Sequence, residues 1–189
     1  MTQNFSQPTY SSTVRRIIGP TMLLFSGSYF DFLAPETSAF TIEDIAHGLA
    51  MTCRFGGQCR RYYSVAEHSV HVSRSVSPGA ALAALMHDAQ EAFVGDVIKP
   101  LKDILLDYRK VEDRIEAAVL ARFGLCLPLP PEVSEADVAM LATEQIQLMR
   151  NRDDWDYTRG RKPLPIVLRF WSPEEAEFHF LTRFYEVNK

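Results

Sequence analysis

Apolar positions recur every three to four residues along most of this chain, and the polar residues between them carry helix-start and helix-stop signals. The first such stretch covers residues 41–53. Thr41 stands as an N-cap with Asp44 three positions on, Ile45 and Leu49 share a face, and Gly56-Gly57 ends the run. The second opens at Ser64, where Glu67 completes a Ser-x-x-Glu capping box, and runs to about Val76 with Val65, Val72 and Val76 on its apolar face. A third opens at Ser77-Pro78, a suitable place for proline, and continues to Gly95. Ala81, Leu82, Leu85, Met86, Ala89 and Phe93 make it apolar almost all round, which predicts a central, buried helix. Residues 101–123 read as a long amphipathic helix bearing Leu105, Val111, Ile115, Val119 and Phe123, closed by Gly124. Pro128, Pro130 and Pro131 exclude helix before the next periodic run, residues 132–150, with Val133, Ala136, Met140, Leu141 and Leu148. The last helix starts at the Ser172-Pro173-Glu174-Glu175 capping box and packs Ala176, Phe180 and Phe184.

Three stretches fall outside this pattern. Residues 1–12 are polar and predict a loosely packed tail. Residues 14–33, punctuated by Gly19-Pro20 and Gly27, predict short extended pieces or a small β-hairpin. Residues 151–170 mix Asp153, Asp154 and Asp156 with Arg159, Arg161, Lys162 and two prolines, a loop or short hairpin ending in Ile166-Val167-Leu168. The expected architecture is all-α: one helical domain over residues 13–189, with its core in 41–150. A length of 189 residues suits one buried core, and 47% hydrophobic with 23% charged residues suits a soluble globular domain. Acidic side chains outnumber basic ones, 24 to 20, which argues against a nucleic-acid partner. No apolar run approaches the ~20 residues of a membrane-spanning helix. Cys53, Cys59 and Cys126 form no even-numbered framework, so reduced thiols and a cytoplasmic location are expected.

Ionisable residues interrupt the apolar faces at a few positions. His68 lies near the apolar face of the second helix, His87, Asp88 and Glu91 break the surface of the third, and Asp137 follows Val133 by four residues on an inward face. A buried charge needs a partner or a metal. Two imidazoles and two carboxylates form a donor set that suits a divalent cation, and four ligands leave positions open for water and substrate. Taken singly, each residue has an ordinary packing explanation; the adjacency of His87 and Asp88 on the most apolar helix favours the metal.

The ordered set Val65-Ala66-Glu67-His68-Ser69, His87-Asp88-Ala89-x-Glu91 and Gly95-Asp96 with Pro100 and Lys102, followed by Asp137, resembles the HD-domain phosphohydrolase superfamily over roughly residues 41–145. It is most similar to the bacterial 5'-deoxynucleotidases and the phage-type deoxynucleoside triphosphohydrolases. The resemblance implies a helical bundle around one divalent ion (Mn, Co, Fe, Zn, Ni or Mg) held by His68, His87, Asp88 and Asp137. It assigns Glu91 and Asp96 to the catalytic acidic pair, against the alternatives of a hydrogen bond to His87 and a turn residue after Gly95. It also makes Arg54 a catalytic phosphate contact and Phe55 a sugar or base contact, where a helix-end cation is the alternative for Arg54. Lys102 becomes a phosphate contact rather than a solvated lysine. Arg60-Arg61 could reach a polyphosphate tail or face water; His71 fills space beside the site, and His47 could line the pocket wall.

The expected activity is therefore metal-dependent hydrolysis of nucleotides, first a 5'-nucleotidase on deoxynucleoside monophosphates, with triphosphate release from deoxynucleoside triphosphates as the alternative. A silent metal or nucleotide sensor is the competing class, disfavoured by the complete Glu91 and Asp96 pair. The resemblance also implies a homodimer, with a small nucleotide substrate and neither nucleic acid nor membrane as partner.

Overall fold

The computed structural model describes residues 19–189, so the polar tail expected over 1–12 lies outside the described residues. The fold is predominantly helical, as the periodicity predicts. Near the N-terminus, β1 (Thr21–Leu23) and β2 (Tyr29–Asp31) pair antiparallel with Met22 opposite Phe30, forming the small hairpin. Phe30 points inward and stacks on Phe93, ring centroids 4.1 Å apart, while Phe40 packs edge-on against Phe93. The hairpin thereby plugs the bundle from one side.

Helix α1 (Ile42–Met51) carries the expected reciprocal cap: the Thr41 hydroxyl accepts from the Asp44 amide and the Asp44 carboxylate accepts from the Thr41 amide. Helix α2 (Val65–Ser73) is buried along its whole length. Only half of its expected capping box forms. Ser64 Oγ accepts from the Glu67 amide, but the Glu67 carboxylate turns away and accepts from the amides of Arg169, Phe170 and Trp171 at 2.7, 3.0 and 2.8 Å. A fully buried carboxylate is better served by three donors from a distant segment than by one at its own helix start. Those bonds fix the approach to α8 (Pro173–Val187), whose own Ser172–Glu175 box is complete.

The single central helix expected between Ser77 and Gly95 is broken. Helix α3 (Ala81–Met86) stops before His87, and α4 (Glu91–Val94) resumes after Gln90. Between them the backbone closes i→i+3 bonds, Ala89 to Met86 and Glu91 to Asp88, both 3.0 Å. The long helix expected over 101–123 is also divided, into α5 (Lys99–Lys102) and α6 (Leu106–Arg122), with Leu105 leaving helical geometry. Leu105 and Val111 stay exposed, so the inward stripe of α6 is Glu112, Ile115 and Val119. Helix α7 (Pro131–Leu148) follows the expected run, and residues 151–170 form a loop containing one short turn, Asp156–Thr158, with no strand.

Two apolar cores result. One joins the hairpin with α1, α4, α6 and α8 through Phe30, Leu49, Phe93, Ile115 and Phe180; the other joins α3 and α7 through Ala83, Ala84, Val133, Met140 and Leu148. Helices α2 and α3 contribute residues to both, so they lie along the seam. Close approach of α1 to α4 depends on Gly48, where an added Cβ would stand 2.9 Å from Ala92 Cβ and 3.0 Å from its carbonyl oxygen. Gly48→Ala gains roughly 1 kcal/mol of helix propensity, but overpacking against backbone costs about 1–3 kcal/mol. A net destabilisation of about 1 kcal/mol is expected in urea unfolding; an unchanged or raised midpoint would show that the two helices can separate freely.

Candidate metal centre

The seam between the cores gathers side chains from distant parts of the chain. His68 sits in the first turns of α2, His87 and Asp88 in the tightened turn after α3, and Asp137 on α7. His68 Nε2 lies 3.3 Å from His87 Nε2 and 3.2 Å from Asp137 Oδ1, and His87 Nε2 lies 3.8 Å from the same oxygen. Asp88 Oδ2 stands 3.6 Å from His68 Nε2 and 3.2 Å from His87 Nε2. Donor atoms held about 2.1 Å from one ion at tetrahedral or octahedral angles stand roughly 3.0–3.4 Å apart. The spacing therefore fits a shared ion: His68, His87 and Asp137 could hold a metal, their donor atoms all lying within 4.8 Å of one another. Asp88 touches both imidazoles but stands outside that mutual group; its carboxylate is shared with Arg54. Asp137, its side chain 38% exposed, marks the open side.

Each histidine is oriented by its other nitrogen. His68 Nδ1 pairs with Glu144 Oε1 at 2.6 Å, and His87 Nδ1 donates to the Ala84 carbonyl at 2.8 Å. Both Nε2 atoms are thus left facing the shared point. Burial opposes charging of the two imidazoles, yet the surrounding carboxylates more than offset it and hold both above the ordinary histidine value. Burial likewise opposes ionisation of Asp88 and Asp137, and the imidazoles nonetheless hold both below the usual carboxylate range.

Glu91 lies at the start of α4, buried, with Oε1 3.1 Å from Lys102 Nζ and Oε2 without a hydrogen-bond partner among the described residues. Burial, then the nearby Asp88 and Asp96, push its carboxyl well above the usual range. Asp96 is raised for the same first reason and accepts from the Phe55 amide at 3.2 Å. Lys102 is no solvated lysine: its ammonium also meets Glu112 Oε1 at 2.6 Å, and these carboxylates outweigh burial and hold it above its ordinary value. Arg54 is buried, with Nη2 3.1 Å from Glu144 Oε2 and Nη1 3.5 Å from Asp88 Oδ2. Its neighbour Phe55 is half-buried, at the rim, with Trp155 6.3 Å away between ring centroids.

The remaining histidines serve elsewhere. His47 does not line the site: it pairs with Glu177 at 3.0 Å and stacks on Phe25, tying α1 to α8. His71 and His179 both stack on Trp171. The residues that the sequence reading passed over are Glu144, Glu112 and Glu116, the last pushed up to about 7 by burial and by Asp88. Two had a readable signal. Glu144 follows Asp137 by seven residues, two turns along one face, and Glu112 precedes Ile115 by three.

Sequence comparison places the chain in a wider group. The chain is 36% identical over 169 residues to "Uncharacterized protein YfdR" of Escherichia coli K12, covering 87% of this chain and 94% of that one. The chain belongs to the YfdR family. An uncharacterized protein of Rhodobacter capsulatus is 43% identical over 162 residues, 77% of this chain and 82% of its own. A scan against protein-family models found no match. No helix among the described residues is long and apolar enough to cross a membrane.

Metal and protons compete for the same imidazole nitrogens, so affinity should fall as pH falls through the raised histidine range. The expected loss is about tenfold per pH unit for each proton displaced, read by Co²⁺ competition against a chromophoric chelator between about pH 8 and about pH 6. A pH-independent affinity would place the ion elsewhere.

Proposed function

We propose that this chain is a metal-dependent phosphohydrolase of the HD type acting on nucleotides, with deoxynucleoside monophosphates as the first substrate class. The observation that carries the reading is the convergence of His68, His87 and Asp137 donor atoms on one point, with Asp88 on both imidazoles and the Lys102-paired Glu91 carboxyl on the neighbouring turn. A divalent ion held there would supply a water of lowered pKa and polarise a phosphoryl oxygen. His68, His87, Asp137 and Asp88 would hold it, and Mn²⁺, Co²⁺ or Fe²⁺ fit a mixed imidazole and carboxylate set.

Of the acidic pair, Glu91 is the better proton carrier. Its Oε2 has no hydrogen-bond partner among the described residues, its other oxygen is steadied by Lys102, and burial raises its affinity for a proton, which suits a group that exchanges one with a water or leaving oxygen. Asp96 has one oxygen engaged by the Phe55 amide and so positions the Arg54-Phe55 turn.

The charges favour a monophosphate over a triphosphate. Among the described residues the buried cations at the site are Arg54 and Lys102, and both already face two carboxylates. A triphosphate would bring about four negative charges against one ion and no unpaired interior cation. Incubation with Mn²⁺ or Co²⁺ should release inorganic phosphate from deoxynucleoside monophosphates. His87→Ala and Asp88→Ala should lose at least about a thousandfold in kcat/KM, since both remove a group the reaction needs. Release of triphosphate instead would reverse the substrate assignment; metal and nucleotide binding without turnover of any phosphate ester would make the protein a sensor.

A further inference from the structure

Glu144 is fully buried, and both of its oxygens are engaged: one by His68 Nδ1 at 2.6 Å, the other by Arg54 Nη2 at 3.1 Å. Arg54 extends the chain of contacts to Asp88 at 3.5 Å, and Asp88 returns to His68 at 3.6 Å. A closed ring therefore links α2, the turn after α3, α7 and the Arg54–Gly57 turn through side chains alone. The guanidinium is not offered to the open side of the site. Its side chain is 10% exposed, and its Nε–H is sealed from solvent without a partner.

We infer that Glu144 and Arg54 act as one positioning pair for the metal centre, and that Arg54 serves the ligands rather than the substrate phosphate. The chemistry follows from what each group can do. Glu144 accepts the Nδ1 proton of His68, which fixes the tautomer with its lone pair on Nε2 and makes that nitrogen a stronger donor to a cation. A carboxylate in that environment stays ionised only with a fixed cation against it, and Arg54, which does not deprotonate, provides one. The same guanidinium restrains Asp88, the ligand least committed to the shared point. Neither residue belongs to the donor group that could hold the ion. The inference rests on the metal centre of the proposed reading, and ion binding without substrate tests it apart from turnover.

The test compares Co²⁺ affinity, by chelator competition, for wild type, Glu144→Gln, Arg54→Gln and the double variant, with circular dichroism of each ion-free protein as the folding control. Each single variant should bind Co²⁺ about 10–100-fold more weakly. The double variant should fall within about threefold of the weaker single one, because groups acting as a unit are non-additive. The Co²⁺ absorption spectrum should change in Glu144→Gln as His68 loses its fixed orientation. If a single variant fails to fold because one charge is left buried alone, the double variant, which removes both, carries the comparison with wild type. Wild-type affinity within twofold in the variants that fold would overturn the inference. So would Arg54→Gln that keeps Co²⁺ affinity but loses inhibition by inorganic phosphate, the result expected of a phosphate contact.

Discussion

A charge inside a protein needs an opposite charge beside it, and this requirement organises the seam between the two cores. Leaving one member of a buried pair alone costs about 3–5 kcal/mol, a large fraction of the stability of a typical domain. Here Arg54, Glu144, Asp88 and His68 close a circuit, and Lys102 stands between Glu91 and Glu112 in a second, open chain. Replacing such circuits with apolar side chains would commonly preserve or raise stability. Their presence between two apolar cores is therefore not explained by stability alone.

The fold delivers these groups by simple means. A Ser64 cap starts α2 just before His68, and burial of that helix on all sides leaves His68 no solvent to face. Glu67, next in the chain, faces away and holds residues 169–171, so adjacent residues of one helix serve the site and the scaffold. Gly48 admits α4 close against α1, and the stack of Phe30 on Phe93 supports α4 from beneath. Glu91 is thus carried by a short segment packed against both α1 and the hairpin.

Periodicity made the helices legible because each needs one apolar stripe to bury. It failed where tertiary demands overrode it. The run from Ala81 to Phe93 is apolar enough for one helix, yet the chain tightens at residues 87–90, and nothing in side-chain pattern distinguishes an i→i+3 turn from an i→i+4 one. Val111 continues the spacing of Ile115 and Val119 but remains in solvent, because Glu112 takes the inward place to meet Lys102. The His68, His87 and Asp137 group that could hold an ion was readable from residue type, since paired imidazoles and carboxylates on apolar faces demand compensation. Glu144 was harder to see: a glutamate near the end of a helix resembles a solvated one until its partners, 76 and 90 residues away in the chain, are placed beside it.

The turn that carries Arg54 underlies the division of work proposed for the acidic pair. Phe55, Gly56 and Gly57 take φ of 59°, 58° and 76° in succession, a left-handed run that glycine accepts readily and phenylalanine does not. Strain of this kind, about 1–3 kcal/mol at a non-glycine residue, persists only where neighbours enforce it. Asp96 does so by accepting the Phe55 amide, and the reversal sends Arg54 into the protein while Phe55 stays at the rim. Moving Asp96 off this amide would loosen the turn and, through Arg54, Asp88 and Glu144 beyond it. Glu91 holds no backbone in this way: one oxygen meets Lys102, and the other has no hydrogen-bond partner among the described residues. The proposed division, with Glu91 exchanging a proton and Asp96 holding geometry, thus rests on the backbone of a single short turn.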